Sequence, residues 1–151
     1  MLRDQINSAV KEAMKARDVR RVSTLRLINA AIKNADIEAQ VHGREAPGDD
    51  QLLALLQKMI KQRQESVGIY ESAGRKDLAE QEQAEIGIIS AYLPKQMSEA
   101  EVRAAVADMI GRTGASSIKD MGKVMAAIKQ VYPGSMDFAK ASALIKGMLS
   151  G

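Results

Sequence analysis

Apolar residues recur at steps of three and four along almost the whole chain, and that spacing is the strongest constraint on its fold. A period near 3.6 places them on one side of an α-helix; a strand would need alternation. Leu2, Ile6, Val10, Ala13 and Met14 predict a first helix over about 2–15. Val22, Leu25, Ile28, Ile32 and Ala35 predict a second over about 19–40, with Asp18 as its cap. Leu52, Leu55, Leu56, Met59, Ile60, Arg63, Val67 and Tyr70 mark a third, capped by Asp49 and stopped at Ala73-Gly74. A fourth follows over about 76–92, with Leu78, Ile86, Ile89 and Leu93 as its apolar side, until Pro94 ends it.

Beyond Pro94 the helices shorten and glycine becomes commoner. Ser98-Glu99-Ala100-Glu101 is a capping box ahead of Val102, Ala105, Val106, Met109 and Ile110. Gly111 and Gly114 stop that helix. Ser116 or Ser117 caps the next, with Met121, Val124, Met125 and Ile128, and Pro133-Gly134 breaks it. Asp137 caps the last, with Ala141, Leu144, Ile145, Met148 and Leu149. The expected fold is all-α: an antiparallel bundle of long helices over 1–94, then a small three-helix tail domain over 95–151.

Composition agrees. Of 151 residues 46% are hydrophobic but only 3% aromatic, so Ala, Leu, Ile and the nine Met must fill the core. There is no Cys, which excludes disulfides, thiolate metal sites and a thiol nucleophile. No apolar run approaches the roughly 20 residues of a membrane span, and the N-terminus lacks the apolar segment of a signal peptide. These features predict a cytoplasmic protein with no membrane association.

Little in the chain suggests chemistry. His42, the only histidine, stands beside Gly43 without partners at ligand spacing and reads as a solvated loop residue. Glu80, Glu82 and Glu85 read as the wet face of the fourth helix. Gly122 and Gly134 belong to no phosphate loop. No catalytic residue, metal ligand or cofactor is therefore expected. The net charge is +3. Its bases gather in two zones, from Lys11 to Lys33 and from Arg112 onward. In the first, Arg20 and Arg21 form a candidate phosphate-contacting patch. In the second, Ser116 and Ser117 open a helix whose free N–H groups suit an anion. Lys119 and Lys123 lie one turn apart behind them, and Lys129 follows. Gly122 permits close approach of another backbone, either a neighbouring helix or nucleic acid.

At these residues the chain resembles the YqeY family. The resemblance rests on Arg26-Leu27-Ile28, Ala73-Gly74-Arg75-Lys76-Asp77-Leu78, Tyr92-Leu93-Pro94, Gly114-Ala115-Ser116-Ser117 and Lys119-Asp120-Met121-Gly122-Lys123-Val124-Met125, in order along the chain. That family is similar to the C-terminal helical and tail region of the GatB subunit of tRNA-dependent amidotransferase, a carbon–nitrogen ligase with glutamine as amido donor. Related modules are appended to some glutaminyl-tRNA synthetases. The resemblance implies an accessory module without independent activity that binds tRNA or another structured RNA. It also admits an adaptor that docks on an amidotransferase or an aminoacyl-tRNA synthetase through an apolar helix face. The Pro133-Gly134-Ser135 turn departs from the Lys-Gly-type turn of the amidotransferase tail.

Overall fold

The computed structural model describes residues 1–150, and the regular elements among them are all helical. They are α1 (Leu2–Lys15), α2 (Val19–Val41), α3 (Asp49–Ser72), α4 (Lys76–Ser90), α5 (Glu99–Thr113), a 3-10 turn (Ile118–Asp120), α6 (Met121–Val131) and α7 (Phe138–Ser150). The chain divides into two compact units, Met1–Leu93 and Pro94–Gly151.

In the first unit α1 packs on α2, α3 on α4, and α2 on α4. Ile6, Ala13, Leu25, Ile28, Leu52, Leu56 and Ile89 form its fully buried core. Caps set the helix limits. The Asp18 carboxylate accepts from the Arg21 amide at 3.1 Å and opens α2. Gly74, with φ +72°, supplies the left-handed turn between α3 and α4. Two expectations fail here. Asp49 does not cap α3: Gly48 holds that position, and the Asp49 carboxylate instead accepts from the Leu2 amide at 3.3 and 3.4 Å. Helix α4 stops at Ser90, because Tyr92 and Leu93 form 3-10-type bonds to Ile89 and Ser90 before Pro94 is reached.

Polar side chains also tie this unit together. Arg3 on α1 donates in bidentate fashion to Asp36 on α2, at 2.7 and 2.6 Å, and to the Pro47 carbonyl at 2.9 Å. Arg63 on α3 pairs with Glu85 on α4 at 2.9 Å, both side chains largely buried. Glu85 is therefore not on the wet face expected for it.

In the second unit α5, α6 and α7 pack on one another around Val106, Val124, Ile128, Met136, Ala141 and Ile145. The Ser98 capping box forms: its hydroxyl accepts from the Glu101 amide, and Glu101 accepts from the Ser98 amide, both at 3.1 Å. Gly114, with φ +67°, ends α5, while Gly111 lies inside the helix. The Asp137 carboxylate caps α7 through the amides of Ala139 and Lys140. No helix among the described residues is long and apolar enough to cross a membrane.

Candidate nucleic-acid interface

The segment from Gly114 to Met125 is built around Asp120. After Gly114 the chain is extended at Ser117 and then closes the 3-10 turn through the Asp120 amide on the Ser117 carbonyl. The Asp120 carboxylate reaches back and accepts from the amides of Ser116 at 2.9 Å and Ser117 at 3.3 Å. Those two bonds, with a smaller contribution from the Lys123 charge, hold its carboxyl below the usual range. The amides of Ser116 and Ser117 are thus already occupied by a carboxylate of the chain itself.

The lysines fare differently. Lys119 lies on the 3-10 turn and Lys123 in the first turn of α6; both are exposed and form no ion pair among the described residues. Gly122 lies between them with no atom within 4 Å of where a Cβ would stand. No neighbouring helix needs the missing side chain, so that reading falls, and the backbone there is open to solvent. Lys129 is six residues beyond Lys123, about 120° around the helix. Its ammonium stands 5.9 Å from the centroid of the Phe138 ring, a cation–π contact between α6 and α7.

Arg20 and Arg21 belong to the other unit and do not act as a pair. Arg20 is exposed. Arg21 is half-buried, and its guanidinium donates to the Tyr92 phenol at 3.4 Å. Neighbours one residue apart on a helix diverge.

Charge separates the two units more sharply than the sequence zones did. Eight of the 22 bases and five of the 19 acids lie in Pro94–Gly151, leaving 14 of each in Met1–Leu93. The whole surplus of +3 therefore belongs to the second unit. Four of its five acids are engaged locally: Glu101, Asp120 and Asp137 on backbone amides, and Asp108 with Arg112 at 3.0 Å. Folding also creates a groove of about 530 Å³ that no local motif announces. Met97, Val102, Met136 and Leu144 line it with Arg103 and Lys140, but Glu99 and Asp137 line it too and balance the bases. Among the described residues no three His, Cys, Asp or Glu side chains are grouped to hold a metal ion.

A family model described as Yqey-like protein matches residues 3–149. The chain belongs to the YqeY family. Its curated relatives include fungal proteins named Altered inheritance of mitochondria protein 41, mitochondrial. The one from Lachancea thermotolerans is 38% identical over 67% of this chain and 54% of its own length. Those from Pyrenophora tritici-repentis and Eremothecium gossypii are 30% and 37% identical, over 83% and 66% of this chain and 70% and 53% of theirs. The chain thus spans about half the length of two of these relatives. Their names overturn the expectation of a cytoplasmic protein. Lack of cysteine and of a long apolar run does not separate the cytoplasm from mitochondria, so composition could not carry that inference.

Proposed function

We propose that this YqeY-family chain is an RNA-binding accessory module, with tRNA as the partner and the second unit as the contact surface. On this reading the chain has the layout of a helical bundle with a tail domain, and its role is related to glutamine-dependent amidotransferase by resemblance. The observation that carries the reading is the confinement of the whole positive surplus to Pro94–Gly151, with Lys119 and Lys123 exposed and, among the described residues, in no ion pair, beside the open backbone at Gly122. Each lysine acts as a positioning charge on phosphate, carrying no sequence information. Arg20 and Lys129 are secondary contacts.

The test measures the affinity of the full chain for a tRNA pool against salt concentration. Affinity is expected to fall steeply with salt. Lys119→Ala with Lys123→Ala should weaken binding to all tRNAs alike and reduce the log–log slope by about one unit per lost contact. A folded double variant with unchanged affinity and slope refutes this surface. A chain that binds no tRNA but retains an amidotransferase or aminoacyl-tRNA synthetase would favour the adaptor reading instead.

A further inference from the structure

Helix α2 has two apolar faces. One holds the buried Leu25, Ile28 and Ile32. The other carries Leu27, Ala30, Asn34, Ile37 and Val41, spaced three, four, three and four apart, and all are exposed. Leu27 is 44%, Ile37 49% and Val41 75% exposed. Single apolar residues on a surface need no explanation. A stripe in heptad register over about 21 Å, opposite the core face, has the spacing of a two-stranded coiled-coil seam. We infer that this face of α2 pairs with the same face of a second copy of the chain, with the two helices parallel.

Three features of the stripe select that occupant and direction. With Leu27, Asn34 and Val41 at the first seam position and Ala30 and Ile37 at the second, Lys33 and Glu38 fall at the flanking positions. In a parallel pair each Lys33 meets Glu38 of the other copy, giving two symmetric ion pairs; neither residue has an ion-pair partner in its own chain among the described residues. An antiparallel pair would set the Arg26 and Lys33 edge against itself and Glu38 against Glu38. The side chain of Asn34, at a first seam position, forms no hydrogen bond among the described residues; in a parallel pair it meets its own copy, the use to which a seam asparagine is put in two-stranded coils. The same patch on both copies is what a two-fold dimer requires. The seam covers only two heptads, well short of the area of a stable interface, so the dimer is reversible and forms at high concentration. This inference is independent of RNA binding.

Sedimentation equilibrium of the full chain from about 1 μM to 1 mM should show a monomer–dimer equilibrium. Ile37→Glu should leave a folded monomer, since the site is exposed. Lys33→Glu alone should weaken association several-fold, and adding Glu38→Lys should restore it. The chain has no cysteine, so Leu27→Cys introduces a single thiol. Under mild oxidation it should link to its own copy much faster than Ile69→Cys, at an apolar site on α3 that is more exposed than Leu27. A chain that stays monomeric throughout, a charge swap that restores nothing, or equal crosslinking at residues 27 and 69 overturns the inference.

Discussion

Arg17 adopts φ +56°, the one left-handed backbone among the described non-glycine residues. It closes α1: the Asp18 amide donates to the Ala13 carbonyl at 3.0 Å, six residues spanned, in the geometry that glycine ordinarily serves. A side chain there costs about 1 kcal/mol. Arg17→Gly should therefore stabilise the chain by about 0.5–1 kcal/mol and raise Tm by a few degrees, read by urea and thermal unfolding. A loss of stability would mean that the guanidinium contributes more than the backbone strain removes. Residues whose partners are close in sequence were the legible ones. Asp18, Ser98 with Glu101, and Asp137 were all identified as caps, because each bonds an amide within three residues. Asp49 was not, because its partner Leu2 is 47 residues away. Asp120 was missed at shorter range. Serine and aspartate both accept from amides, and pattern alone does not say which one turns back.

At the scale of elements, periodicity and breakers located α1, α2 and α3 within a residue, and α4 to within two at its end. The buried faces were less legible. Met14 was placed on the α1 stripe but is 52% exposed, while Ala9 is buried. Hydrophobic type identifies a helix face only to within about one residue's rotation, and small residues go where helices approach most closely. The Arg63–Glu85 pair was hidden for another reason. Nothing local tells the largely buried Glu85 side chain from the exposed Glu80 or the half-buried Glu82; the arginine that neutralises it arrives on α3. The pair joins α3 and α4, and Arg63 also donates to the Met59 carbonyl at 3.2 Å. Removing one partner leaves a largely buried charge uncompensated. Glu85→Ala or Arg63→Ala alone should cost about 2–3 kcal/mol, and Arg63→Met with Glu85→Leu should cost much less. A double-mutant cycle by urea denaturation measures this. Additive single effects would show that the two side chains do not act as a pair.

Across the whole molecule, acid sensitivity follows from where the carboxylates are placed. Asp36 in the first unit is held below its usual range by the Arg3 guanidinium, Glu101 in the second by the Ser98 amide, and Asp120 by the amides of Ser116 and Ser117. Each folded value lies below its ordinary one, 3.8 for the aspartates and 4.5 for the glutamate. The sign follows from linkage: the unfolded chain takes up protons first as pH falls. The stabilisation is fully present above the ordinary values and is lost as pH drops through the folded ones. Stability should therefore be nearly flat from about pH 7 to 5 and decline below about pH 4.5. Asp120→Asn separates charge from hydrogen bonding at one of these sites, since the amide oxygen still accepts from both backbone groups but carries no charge. Urea midpoints at pH 7 should favour the native residue, and that difference should shrink toward pH 3 as Asp120 is protonated. A gap of the same size at both pH values would show that the charge of Asp120 contributes nothing to holding the 3-10 turn on which Lys119 is displayed.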